Sequence, residues 1–174
     1  MQKVRTGMNY ENYLENLENK LRNSFDLYRD YPLGSEMFNL YARYYIRTER
    51  YMLSKKAKIY GLESHEHILL KHLDSLDEHS INDFTDCIVN SIEEVVEPHP
   101  EHMSSIVTGV MVVENSLSNL GSDLVNSVRK FNYHKGYSFG LRGWVDVRIL
   151  IVSLKDGIVI SNKKGREVEK LFKV

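Results

Sequence analysis

One cysteine, Cys87, is all the chain carries. No intramolecular disulfide can form, so a reducing compartment is expected. There is no excess of charge of either sign: the formal net charge is −1. No bulk field therefore draws the protein toward nucleic acid or a membrane surface. No apolar run approaches the roughly 20 residues that a bilayer-spanning helix needs. The opening "MQKVRTGMNYENYLENLENK" has no apolar h-region and turns polar at once, which argues against a secretory signal. Internal repeats and low-complexity linkers are lacking too. These absences predict a cytoplasmic protein with no membrane partner. At 174 residues the chain suits a single globular domain, 1–174.

Catalytic signatures are equally scarce. There is no Gly-x-Ser-x-Gly elbow, and "GREVEKLF" lacks the spacing of a phosphate loop. A helix, hairpin, helix and strand invite comparison with a metal-dependent nuclease core, which needs clustered carboxylates holding a cation. No strand-borne Asp is followed by a Glu-x-Lys strand. That chemistry would instead have to draw on carboxylates such as Glu63, Glu66 and Glu114.

What is present is a run of alternating elements. Asn9 can cap a helix whose apolar face is Tyr10, Tyr13, Leu14, Leu17, Leu21 and Phe25. Pro32 and Gly34 break the chain. Ser35 then caps an expected second helix carrying Met37, Leu40, Tyr41 and Tyr44. "KKAKIYGLESHEHILLKHL" is expected to be a hairpin, with strands around Ala57–Ile59 and Ile68–Leu73 and a turn at Ser64 and His65. Ser80 with Asp83 resembles a capping box before a helix through Phe84, Cys87, Ile88, Ile92, Val95 and Val96, ended by Pro98 and Pro100. "SSIVTGVMVV" is apolar on both faces and is expected to be a central strand. Leu124, Val125, Val128 and Phe131 mark a fourth helix. A strand from Trp144 follows, then an expected two-residue turn at Asp156-Gly157, the return strand "IVIS", and a tail open between helix and edge strand. The fold class is α+β or α/β: a mixed sheet of about five strands with helices packed on its faces, in the order ααββαβαββ.

Four groups of residues invite a functional reading. In "LRGWVDVRIL", Trp144, Asp146 and Arg148 share one strand face, with Arg142 nearby. They can form a structural ion pair under a tryptophan lid, or a pocket in which Arg142 or Arg148 grips a small or nucleotide-like anion. Arg43, Arg47 and Arg50 form a stripe on the expected second helix, followed by Lys56 and Lys58, with tyrosines between them. Basic residues interleaved with aromatics can bind phosphates and stack bases, but the near-zero net charge weighs against nucleic acid. His65, His67 and Glu63 share strand parity, and His99 and His102 flank Pro100. Imidazoles and a carboxylate can hold a cation. Because His65 falls in the expected turn, no metal site and no cofactor is assigned. Last, charge is unevenly spread: 63–101 carries eleven acids against Lys71, whereas 129–174 carries eleven basic residues against Asp146, Asp156, Glu167 and Glu169. The halves either neutralise each other within the fold or mark a bipolar surface for assembly.

"EHMSSIVTGVMVVEN", "RKFNYHKGYSFGLRGWVDVRILIV" and "SNKKGREVEKLF" resemble a family of small proteins of unknown function from anaerobic Gram-positive bacteria. The resemblance runs from about Tyr10 to the end and is most specific over Phe139–Arg148. It implies a bacterial cytoplasmic origin and no catalytic residue. The expected function is a non-enzymatic binding or assembly module whose partner is another protein or a second copy of itself, as a homo-oligomer. A small-anion site at Arg142, Trp144, Asp146 and Arg148 is the first alternative, and a metal-dependent nuclease the second.

Overall fold

The computed structural model describes residues 8–50 and 60–174. Among them, seven strands form one mixed sheet. They are β1 (Asp26–Leu33), β2 (Glu36–Arg50), β3 (Tyr60–Leu73), β4 (His102–Val113), β5 (His134–Gly136), β6 (Trp144–Ser153) and β7 (Val159–Ser161). The order is β1-β2-β3-β4-β6-β5, and β7 pairs with β6. β3, β4 and β6 run parallel, and the remaining pairings are antiparallel. Seven strands replace the expected five or so, although the α+β character stands.

Helices cover both faces. The connections from β3 to β4 and from β4 to β6 carry α2 (Glu78–Asn90), α3 (Ile92–Val95) and α4 (Ser122–Lys130). Both crossovers step the same way across the sheet, so a shared hand lays their helices on one face. There Ile81, Phe84, Ile88, Ile92 and Val128 meet Leu69, Val107, Met111, Val147 and Ile149. On the other face α1 (Tyr10–Leu21) and α5 (Glu169–Phe172) pack Leu14, Leu17 and Phe172 against Leu70, Val110, Leu150 and Val152.

Local signals place the helix starts. The Asn9 side chain accepts from the Asn12 N–H, as expected. The capping box of α2 is real but shifted: Asp77 is the cap and Ser80 its reciprocal partner three residues on.

The expected second helix is the strand β2. Its Met37, Leu40, Tyr41, Tyr44 spacing imitates a helix face because the strand is covered on both sides. Tyr41 enters one core, while Leu40 and Ala42 enter the other. A strand buried on both faces shows no clean alternation. Aromatic and β-branched residues suit the pleated surface. Leu33 pairs with Glu36 around a two-residue connection in which Gly34 has φ 57°. Ser64 and His65 are likewise no turn: they sit within β3, between β2 and β4. The expected strand at Ala57–Ile59 lies outside the described residues.

At Asp156-Gly157 only Gly157 has positive φ (67°), and Ser153 N–H reaches the carbonyl of Ile158, so the connection is longer than two residues. The Asp156 carboxylate instead accepts from the Ser116 hydroxyl and the Leu117 N–H.

Candidate functional site

A group of polar residues from β3, β4 and β6 gathers at their amino-terminal ends. Strand alternation then sorts them onto two faces. Glu66, Asp146 and Arg148 go to the α1/α5 side, and Glu63, His65, His67 and Ser105 go to the α2/α3 side.

On the α1/α5 side the charges are matched. Arg148 is buried, and its two terminal nitrogens reach Glu66 Oε1 at 2.9 Å and Glu167 Oε2 at 2.8 Å. Asp146 Oδ1 accepts from His134 Nδ1 at 2.6 Å and from the Lys164 ammonium. Partial burial would raise the Asp146 carboxyl, but the bonds from Lys164 and His134 outweigh it and hold its pKa below the ordinary value. Asp146 and Arg148 therefore bond to other partners and not to each other. Trp144 is 38% exposed, and Arg142 is exposed on the adjoining loop.

The α2/α3 side carries a cleft of about 450 Å³, within the roughly 300–1,000 Å³ usual for small-ligand sites. One wall is Tyr28, Tyr31 and Tyr41. Tyr31 is on that wall because Asp30 (φ 50°) and the facing Asn39 drop out of the β1–β2 pairing, and strand alternation is offset beyond them. The Tyr31 and Tyr41 ring centroids are 4.3 Å apart. The floor is Glu63, His65, His67 and Ser105. Glu94, Glu97 and His99, from α3 and the connection after it, form the opposite side.

The floor is set by strand register. β2 places Arg43, Tyr45 and Arg47 opposite His67, His65 and Glu63, while β4 places Ser105 opposite His65. Glu63 has each oxygen engaged differently. Oε1 accepts from the Tyr45 hydroxyl (2.8 Å) and lies 3.5 Å from Arg47 Nη1; Oε2 lies 2.8 Å from His99 Nε2 and 3.7 Å from His65 Nε2. The donor atoms of Glu63, His65 and His99 all fall within 4.8 Å of one another. Burial would raise the Glu63 carboxyl, but the Tyr45 hydroxyl and the two imidazoles more than reverse this and lower its pKa. Burial lowers the pKa of His65, helped by the neighbouring His102.

His67 is 2% exposed. Its Nδ1 lies 2.9 Å from the Tyr41 hydroxyl, whereas Nε2 is buried and has no hydrogen-bond partner among the described residues. Desolvation presses its pKa down to about 4, so the ring is neutral at pH 7. A buried polar atom without a partner costs on the order of 1–3 kcal/mol, and such atoms are few in native proteins.

Behind the floor, His102 Nδ1 lies 2.7 Å from the Arg142 carbonyl. A carbonyl only accepts, so Nδ1 carries a proton, and Nε2 lies 2.9 Å from Ser105 Oγ. Gly143 makes this approach possible. It has φ 76°, and a Cβ there would meet the Met103 carbonyl at 2.5 Å and His102 Nδ1 at 2.7 Å.

The stripe read as basic is thus part of the cleft system. Arg43 lines the cleft, while Arg47 spans Glu63 and Glu101, the latter at 3.1 Å. They share a face as alternate residues of a strand, not as helix neighbours. Lys56 and Lys58 lie outside the described residues, and Arg50 is described only as the last residue of β2. Glu63 and Glu66 face opposite sides, and Glu114 lies beyond the far end of β4 beside His72, so the three carboxylates of the nuclease reading do not converge. The histidine group was visible in sequence as the shared parity of 63, 65 and 67. What concealed it was the apparent turn at 64–65.

Among the described residues no helix is long and apolar enough to cross a membrane. No curated protein and no solved structure matches the chain. Residues 9–174 match the family described as "Domain of unknown function (DUF8052)". With nearly the whole chain covered, the protein belongs to the DUF8052 family.

Proposed function

We propose that this protein is a binding module whose ligand is a small polar molecule with a flat ring, held in the α2/α3-side cleft. The observation that carries this reading is His67 Nε2, unpartnered among the described residues, at the floor of a cleft that also gathers three tyrosines, Arg43 and the Glu63–His65–His99 group. Stacked aromatics offer a ring a face worth about 0.5–1.5 kcal/mol beyond area burial. Arg43 is half-exposed, and its one ion-pair partner among the described residues is Asp26 at a weak 3.5 Å, which leaves guanidinium surface for a ligand acceptor. Ligand-observed NMR with a library of small ring compounds, run in chelator, tests this. Binders are expected to weaken about fivefold in Tyr31→Ala, in keeping with the loss of one aromatic contact. Finding no binders, or binders indifferent to Tyr28→Ala and Tyr31→Ala, would discard the reading.

A second reading, association with a protein partner or a second copy, is favoured by one loop. Between β5 and β6, Phe139 and Leu141 stand in solvent, and Ser138, Phe139 and Gly140 all have positive φ. Large apolar side chains held outward in strained backbone suit an interface. Light scattering after size exclusion, at low and high salt, is expected to show a dimer that Phe139→Ser dissociates. A monomer at both salts would exclude self-association.

A further inference from the structure

We propose that Glu63, His65 and His99 bind one divalent cation of the zinc class at the floor of the cleft. The inference deepens the cleft reading and rests on it only for where the ion's open positions lead. Ions of this class bind imidazole nitrogen and carboxylate oxygen at about 2.0–2.2 Å, which sets neighbouring ligand atoms roughly 3.0–3.5 Å apart. Here Glu63 Oε2 lies 2.8 Å from His99 Nε2 and 3.7 Å from His65 Nε2. All three donor atoms already fall within 4.8 Å of one another, so side-chain adjustment alone is needed to close on an ion.

The donors are well supported. Glu63 and His65 are two residues apart on β3, where pairing with β2 is unbroken and the β4 register shifts between Glu63 and Ser64, so strand alternation sets both on one face. The non-ligating oxygen of Glu63 is held by Tyr45 and Arg47, the outer support that a ligating carboxylate usually has. His99 reaches in from the connection between α3 and β4, and the Glu101 carbonyl of that connection accepts from the Glu63 N–H at 2.9 Å. Two imidazoles with one carboxylate favour zinc, cobalt, nickel or iron over magnesium or calcium, which prefer an all-oxygen set. Three protein ligands leave coordination positions open. All three residues line the cleft, so those positions fall to water or to the cleft's ligand.

The ion-free arrangement makes a further demand. Glu101 N–H donates to His99 Nδ1 at 3.3 Å, which leaves the proton of a neutral ring on Nε2, pointing at Glu63. For Nε2 to ligate, that proton moves to Nδ1. The Glu101 amide then loses its acceptor.

The test is titration of chelator-stripped full-length protein with Zn2+ by calorimetry and with Co2+ by visible absorption. One equivalent is expected to bind, with Co2+ d–d bands, and the Glu101 amide resonance is expected to shift. His65→Gln, His99→Gln and Glu63→Gln should each weaken binding at least tenfold. His79→Gln, on the exposed face of α2, should leave it unchanged. Far-UV circular dichroism checks that each variant is folded; should one unfold, Glu63→Asp replaces it, since it keeps the charge while displacing the donor. No saturable binding, or unchanged affinity in the folded His65→Gln/His99→Gln double variant, would overturn the proposal. The ring-compound screen in chelator reports separately on the cleft reading, so either reading can fail alone.

Discussion

The two faces of the sheet, compared at the amino-terminal ends of β3, β4 and β6, use the same kinds of residue to opposite ends. On the α1/α5 side Arg148 meets Glu66 and Glu167, and Asp146 meets His134 and Lys164. The network is closed, and α5 with its preceding turn covers it. On the α2/α3 side a comparable number of polar groups surrounds a cleft, and one buried nitrogen, His67 Nε2, has no partner among the described residues. A closed network is a device for holding the end of a sheet. An open one, carrying a desolvation cost with no internal return, is where a ligand has something to complete.

The largest expected effect lies on the open side. Folded His67 titrates near pH 4, against about 6.5 for an unperturbed histidine. Between these values the unfolded chain binds a proton that the folded ring refuses, so acid favours unfolding. His65 and His102, whose charge adds to the effect, and Arg43 face the ring and press its pKa the same way. Stability contributed by neutral His67 is fully present above about pH 6.5 and is lost progressively toward pH 4, on the order of 3 kcal/mol in all. Urea melts across that range should show the slope, and His67→Phe should flatten it while changing stability at pH 7.5 by no more than about 1 kcal/mol. Equal slopes in both proteins would mean that His67 is not the group the fold keeps neutral.

Next comes the closed side. Arg148→Ala removes a buried guanidinium and leaves Glu66 and Glu167 facing each other's charge. Both carboxylates keep some solvent, with side-chain exposures of 36% and 68%, which moderates the cost. A loss of about 2 kcal/mol is expected, or roughly 4–8 °C in Tm for a chain of this size. A loss within 0.5 kcal/mol would show that the network does not hold the sheet end, and the contrast between the faces would collapse.

Much of this was legible in the residues. Asn9, the β-branched run of β4 and the alternation of Trp144, Asp146 and Arg148 all encode local structure, and local structure followed them. β2 was not legible, because burial on both faces erases the period-two signal and leaves a spacing that a helix shares. The partners of Arg148 and Asp146 were not legible either. Adjacent same-face residues look like a pair in sequence, whereas Glu66 and Glu167 arrive from a strand two places away and from the C-terminal turn. The Glu63–His65–His99 group needed the β3–β4 register and the connection after α3, and both are long-range facts. The charge asymmetry was partly internal: acidic 63–101 and basic 129–174 meet at Arg148–Glu66 and Lys135–Glu93.

A smaller effect tests the cleft's tolerance. Glu63→Gln keeps an acceptor for Tyr45 while deleting the charge. Its neighbours Tyr45 and Arg47 are exposed, so the expected loss of stability is about 1 kcal/mol or less by chemical denaturation. A loss above 2 kcal/mol would make Glu63 a structural carboxylate of the same kind as those around Arg148.

The smallest expected effect concerns Trp144 and Asp146, the residues that the sequence marks most loudly. Asp146→Asn weakens bonds to His134 and Lys164, whose side chains are 53% and 31% exposed, and Trp144 is already partly in water. Each substitution should cost less than about 1 kcal/mol. Neither should alter binding of ring compounds or Co2+ in the cleft, because both side chains lie on the opposite face of the sheet. A small anion such as sulfate tests the alternative directly. Protection of the Arg142 and Trp144 resonances by sulfate, lost in Asp146→Asn, would make the closed face a site in its own right. Unchanged spectra would leave it a clasp whose bonds are spent on the fold.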